Sequence, residues 1–287
     1  MTADQGLPAI VDSHVHLWEP ARIPLAWGDK APAINRPFLM ADLDAQRGSV
    51  AIERIVFLEC DVVEGRHLDE ARWVAGLAEA DSRIAGIVAH APLHRGKDAE
   101  RDLVELARIP LVKGVRRLIQ DEPDPGFCAR PEFIAGVKLL PAYGFSFDLC
   151  IYHHQLPAAI ELVRRCPEVD FVLDHIAKPG IRAGLMEPWA AQLRALAGLP
   201  NVVCKISGVA TEADHTSWTE AQLRPYIDHA LACFGPDRVM FGGDWPVSTL
   251  AVAYPRWVEI VARAVAGWSP TDRRKLWRDN AIRVYRI

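Results

Sequence analysis

Two histidines near the start of the chain, His14 and His16, are two residues apart in the run Val11-Asp12-Ser13-His14-Val15-His16. Residues two apart on a strand project from the same face, so these imidazoles can offer two ligands to one metal ion or two donors to one substrate oxygen. An isolated pair of this kind also has many purely structural explanations. What gives it chemical weight is that other apolar runs end in the same residue types. They close on Glu59, on His90, on Arg116-Arg117, on Tyr152-His153-His154, on Asp174-His175 with Lys178 beyond, on Lys205-Ile206-Ser207-Gly208, and on Gly242-Gly243-Asp244-Trp245-Pro246. A carboxylate placed like Asp244, directly after an apolar strand, can hold a water and take its proton; the structural alternative is a turn or capping aspartate.

The elements that must position these residues alternate along the whole chain. Short apolar or β-branched runs predict strands over 9–15, 52–59, 84–89, 111–118, 146–151, 170–173, 202–206 and 238–242. Three-to-four-residue apolar spacing predicts helices over 68–77, 99–107, 131–140, 156–165, 189–197, 220–234, 256–266 and 270–281. Ser269 before Pro270 has the form of an N-cap followed by a first-turn proline, and Gly198 suits a helix stop. Alternating strands and helices without a Gly-, Ser- or Pro-rich linker predict an α/β fold, a single (β/α)8 TIM-type barrel filling 1–287 as one domain. An open doubly wound sheet is the competitor, but no GxGxxG or P-loop follows any strand. In such a barrel the reacting groups sit at the C-terminal strand ends. The stretch 18–37, with Pro20, Pro24, Pro32 and Pro37, is too long for an ordinary connection and reads as an active-site loop.

Composition sets the outer limits. The 287 residues carry 33 Lys plus Arg against 37 Asp plus Glu, a net charge of −4, which argues against a nucleic-acid partner. No run approaches the roughly 18 to 20 apolar residues of a membrane span, and the first residues lack the apolar segment of an export signal. A cytoplasmic protein is therefore expected. The six cysteines are scattered singly, without a CxxC pair, as free buried thiols would be.

Five segments in order, Val11–His16, Gly114-Val115-Arg116, Leu173-Asp174-His175-Ile176-Ala177-Lys178-Pro179, Lys205–Gly208 and Met240–Pro246, resemble the amidohydrolase superfamily. The resemblance is to the amidohydrolase-related branch that holds L-fuconolactonase, L-rhamnonolactonase and 2-pyrone-4,6-dicarboxylate lactonase. It implies that His14, His16 and His175 surround a reacting carbonyl and that Asp244 is the general base of a sugar-lactone hydrolase. Binuclear relatives bridge two cations with a carboxylated lysine at the end of strand four, where this chain has Arg116 and Arg117. A guanidinium offers no lone pair to a metal, so the expectation is one divalent ion, zinc by its nitrogen-rich ligands, or none. The ligands would be His14, His16, His175 and Asp244, with Glu59 as a further candidate. His90, Arg117, His153, His154, Lys205 and Trp245 are candidates for binding a small sugar lactone, and Trp18 and Trp27 for packing on its apolar face. Competing readings are a decarboxylase or hydratase of an aromatic or dicarboxylic acid, and a non-catalytic sugar-binding barrel. A homo-oligomer is compatible with the sequence.

Overall fold

Each apolar run pairs with the next, so strand order in the sheet is strand order in the sequence. The computed structural model describes residues 9–287. Its parallel strands are β1 (Ile10–Val15), β2 (Ile52–Leu58), β3 (Ile84–His90), β4 (Val112–Arg116), β5 (Ser146–Leu149), β6 (Phe171–Leu173), β7 (Val202–Ile206) and β8 (Val239–Phe241). The helices are α1 (Met40–Gln46), α2 (His67–Ala80), α3 (Glu100–Ala107), α4 (Pro131–Val137), α5 (Leu156–Arg165), α6 (Trp189–Ala197), α7 (Glu220–Phe234), α8 (Tyr254–Ala264), α9 (Pro270–Arg274) and α10 (Asn280–Tyr285). This is the (β/α)8 barrel that the alternation predicts.

The ring is closed between β8 and β1. A parallel bridge joins Val15 to Trp245, and the His16 N–H donates to the Trp245 carbonyl at 2.8 Å. Lower in this seam the wholly buried Asp12 carboxylate accepts from the backbone N–H of Gly243 at 2.8 Å and of His14 at 3.0 Å, and from the Tyr254 hydroxyl at 2.8 Å. Asp12 thus ties β1 to the end of β8 and to α8, more than 200 residues later.

Strand periodicity sorts side chains between the two sides of the barrel wall. Ile55, Phe57, Val115, Phe147, Phe171 and Phe241 join the large cluster packed against the helices. Val11, Val56, Leu58, Val88, Val172 and Met240 form a separate cluster, reached from below by Tyr285 of α10. Above this apolar floor the same parity brings Arg116, Asp148 and Lys205 together as a buried charged layer.

The helices differ from expectation at two places. The expected helix over 270–281 is α9, a π-turn over Lys275–Asp279, and α10. Helix α1, not expected, is started by Asp42, whose carboxylate accepts from the Leu39 N–H at 2.9 Å. The Ser269 cap forms as expected, its hydroxyl accepting from Asp272 N–H at 3.1 Å. No helix among the described residues is long and apolar enough to cross a membrane.

Candidate active site

The ends of β1, β6, β7 and β8 converge at the mouth of the barrel. His14 Nε2 lies 3.1 Å from His16 Nε2, and Asp244 Oδ1 lies 3.7 Å from each of these nitrogens and 3.9 Å from His175 Nε2. All four side chains are nearly or wholly buried. Burial pushes the Asp244 carboxyl up to about 7, partly opposed by the positive charges of Lys178 and Arg116. Burial also lowers His16 to about 3, helped by Arg116, and holds His14 and His175 well below the ordinary imidazole range. The site is thus three neutral imidazoles around one carboxyl that burial makes easier to protonate.

Their orientation follows from the groups behind them. The His16 Nδ1 faces the Leu58 carbonyl at 2.9 Å, which can only accept, so the proton sits on Nδ1 and the Nε2 lone pair points into the site. His175 Nδ1 is held by Ser207 Oγ at 2.9 Å. Behind His14, Asp174 Oδ1 lies 3.3 Å and Lys205 Nζ 3.4 Å from Nδ1. Asp174 and Lys205 belong to a buried chain of alternating charge. Glu59 meets Arg116 at 2.7 Å, Arg116 meets Asp174 at 3.1 Å, Asp174 meets Lys205 at 3.0 Å, and Lys205 meets Asp148 at 2.5 Å. Tyr285 ends it by donating to Asp148 at 2.6 Å.

Backbone strain gathers at the same place. His175, Ile176, Ala177 and Lys178 have φ of 53°, 48°, 62° and 44°, a full left-handed turn without a glycine, and Asp244 has φ 52°. Left-handed non-glycine residues cost about 1–2 kcal/mol each, so the surroundings must enforce the turn; Trp189 Nε1 clamps it by donating to the Ile176 carbonyl at 2.8 Å. The turn brings Lys178 back to the cavity that His175 lines. Gly208, at φ +58°, leaves the gap into which His175 and Asp244 fit.

A cavity of about 400 Å³ opens above Asp244, and Trp18, Trp27, Arg116, Tyr152 and Lys178 are among its walls. Residues 11–287 match the family model described as amidohydrolase. The chain belongs to this family. An L-fucono-1,5-lactonase of Burkholderia multivorans is 33% identical over 289 residues, covering 96% of each chain, and one of Burkholderia ambifaria is 31% identical over 285 residues, covering 96% of this chain and 95% of that one. A crystal structure of an amidohydrolase from Burkholderia multivorans with bound zinc superposes with a TM-score of 0.87 at 33% identity, covering 98% of this chain and all of that one.

Within this amidohydrolase, His14, His16, His175 and Asp244 come together, and the 18–37 loop contributes Trp18, Trp27, Lys30 and Ile34 to the cavity. Other expected residues lie elsewhere. Lys205 has no exposed surface and is locked between Asp148 and Asp174, beneath His14 rather than in the cavity. Trp245 is wholly buried and donates to Gln46 at 3.0 Å. Arg117 and His90 line a neighbouring cavity, Arg117 because it has the opposite strand parity to Arg116. His153 and His154 lie on the turn after β5, with His154 exposed, and Tyr152 is the residue of that segment that reaches the cavity. Glu59 reaches the cavity wall, but its carboxylate is taken by Arg116 and by the Asp61 N–H at 2.7 Å. Lys178 and Tyr152 were not among the expected binding residues; the position of Lys178 just after Asp174-His175 was the one available signal.

Proposed function

We propose that this amidohydrolase opens a sugar lactone to its hydroxy acid, with Asp244 as general base. The observation that carries this reading is the convergence of three neutral imidazoles on one buried carboxyl at the closed end of a cavity of about 400 Å³. The similarity to L-fucono-1,5-lactonases over nearly the whole chain supports a cyclic ester as substrate. Ionised Asp244 takes a proton from a water as the water oxygen attacks the lactone carbonyl carbon. The ring C–O bond then breaks and Asp244 returns the proton to the leaving alkoxide. Lys178 and Tyr152 are placed to bind the hydroxyls of the sugar, and Trp18 and Trp27 to pack on its apolar face.

The donor set also fits a metal. His14, His16 and Asp244 each offer a ligand atom within 4.8 Å of the others, and His175 Nε2 faces the same carboxylate. His14 Nε2 and His16 Nε2 lie 3.1 Å apart, and the His16 lone pair fixed by the Leu58 carbonyl faces into the site, so both nitrogens can serve one cation. These four residues would hold one divalent ion, zinc by their nitrogen-rich character, and such an ion supplies Lewis-acid polarisation of the carbonyl when bound. A second ion is disfavoured: Arg116 occupies the space between Glu59 and Asp174, and the other histidine–carboxylate group among the described residues, His14, Asp174 and His175, shares both histidines with the first and has Asp174 already paired with Lys205 and Arg116.

A pH-indicator assay over a panel of aldonolactones tests the reading. Acid release by the wild-type protein is expected, and its rate should fall about 10²- to 10⁴-fold in Asp244→Asn, which keeps the shape but not the proton acceptor. Acid release from no lactone, with or without added zinc, overturns the proposal, as does a normally folded Asp244→Asn variant with wild-type kcat.

A further inference from the structure

Beside the reaction cavity lies a second cavity of about 560 Å³, for which lactone hydrolysis by itself has no use. The two share three wall residues, Asp61, Leu118 and Asp121. Asp61 is held at φ 51°, a conformation unfavourable for a non-glycine residue, by its N–H donating to Glu59 Oε2 at 2.7 Å and its carbonyl accepting from Ala26 N–H at 2.9 Å. Strain of this kind persists where the surroundings enforce it, often at ligand clamps. The Asp61 carboxylate so placed accepts no hydrogen bond among the described residues. His90 lines the same cavity, its ring 5.3 Å from that of His67, and likewise makes no hydrogen bond among the described residues.

Charge decides what such a cavity can take. Arg95 is paired with Glu64 at 3.1 Å, and Arg117 is paired with Glu122 and backed by His94 Nδ1 at 3.3 Å. With both guanidiniums matched by glutamates, Asp61 and Asp121 leave the junction net negative. A carboxylate or phosphate would be repelled there. A neutral group rich in hydroxyls suits it, since each hydroxyl can donate to a carboxylate and accept from an imidazole or guanidinium.

We infer that the second cavity is a subsite for a further sugar unit, so that the preferred substrate is a lactone bearing a glycosyl substituent, of the kind formed by oxidising a disaccharide. The inference rests on the lactonase reading. In it, the lactone ring lies over Asp244, the glycosidic link passes between Asp61 and Asp121, and the second ring meets His90.

The test compares kcat/KM for hexono-1,5-lactones with that for their glycosylated counterparts, cellobiono-, maltobiono- and lactobiono-1,5-lactone, after subtraction of spontaneous hydrolysis. At least one glycosylated lactone should exceed its parent by tenfold or more. Val63→Trp, which fills the second cavity from its wall, should return that ratio to near one; because the readout is a ratio within one protein, loss of overall activity does not mimic the result. His94→Trp does the same from another wall residue should Val63→Trp fail to fold. Hydrolysis of simple lactones with no gain from any glycosyl group overturns the subsite alone, and so does a gain that survives either filling variant. Hydrolysis of neither kind overturns the subsite and the lactonase reading together.

Discussion

Gly208→Ala is a small change placed where the site has no room for it. A Cβ on residue 208 would stand 2.4 Å from His175 Nδ1, 2.8 Å from its Cγ and 2.9 Å from Asp244 Oδ2. Contacts this short cannot persist, so His175 must swing away from Ser207 Oγ or the end of β7 must shift. The alanine also inherits φ +58°, which costs about 1–2 kcal/mol. Losing the His175–Ser207 hydrogen bond adds about 1 kcal/mol. A total of about 2–3 kcal/mol corresponds to a Tm fall of roughly 3–5 °C at this chain length. The larger effect falls on turnover, since displacing reacting groups by ~1 Å costs on the order of 10²-fold. Gly184→Ala isolates the backbone contribution, because Gly184 has φ +66° and nothing within 4 Å of its added Cβ. Thermal melts by circular dichroism, with kcat on the best lactone, should show both variants losing Tm and only Gly208→Ala losing turnover. Wild-type kcat in Gly208→Ala would refute the idea that His175 and Asp244 are set by the space this glycine leaves.

Four further outcomes follow from the charges. With its carboxyl pushed up to about 7, Asp244 is a base above that pH and an acid below it, so kcat/KM of metal-free protein should fall about tenfold per unit below pH 7; a flat profile from pH 5 to 9 contradicts the assignment. Elemental analysis of zinc-loaded protein should find no more than one equivalent per chain, and two equivalents would contradict the reading of Arg116. Lys205→Met leaves Asp148 without a cation and Asp174 with Arg116 alone, and the urea midpoint should drop by the equivalent of about 3–5 kcal/mol; an unchanged midpoint refutes the charge chain as a support. Glu70 is pushed up to about 8, chiefly by burial and then by Glu59, and its Oε2 has no hydrogen-bond partner. The folded protein thus keeps a proton that the unfolded chain releases near pH 4.5, and stability falls between these pH values by about 1.4 kcal/mol per unit. Glu70→Gln should remove the Glu70 share of the slope, leaving that of Asp244, with little gain at pH 4.5 and several kcal/mol at pH 8, measured by urea unfolding at both.

The barrel was legible because its strands are apolar runs and its helices amphipathic, signals local enough to read in one dimension. Helix α1 escaped because it is only seven residues long and follows a proline-rich loop. The helix over 270–281 read as continuous because a π-turn leaves its apolar spacing nearly unchanged. At the site, the parity of His14 and His16 showed that they share a face, and the resemblance supplied His175 and Asp244. Choosing between Arg116 and Arg117 required the register of β4, since neighbours on a strand face opposite sides. Lys178 was hidden for a different reason: a left-handed turn of His, Ile, Ala and Lys leaves no mark in residue types that ordinarily avoid it. Lys205 showed its strand but not its depth, which depends on Asp148 and Asp174 arriving from β5 and from the end of β6.

The seam at Asp12 has a consequence for biosynthesis. Its carboxylate accepts from Gly243 across 231 residues and from Tyr254 across 242. During translation, His14 and His16 emerge early on a strand whose closing partner has not yet been made. Until β8 arrives, that strand edge is open and the two imidazoles stand in solvent without Asp244. Contacts over such separations form late, so the nascent chain passes through a state with an exposed edge and an incomplete site, the period when chaperone capture or premature cation binding has its opportunity.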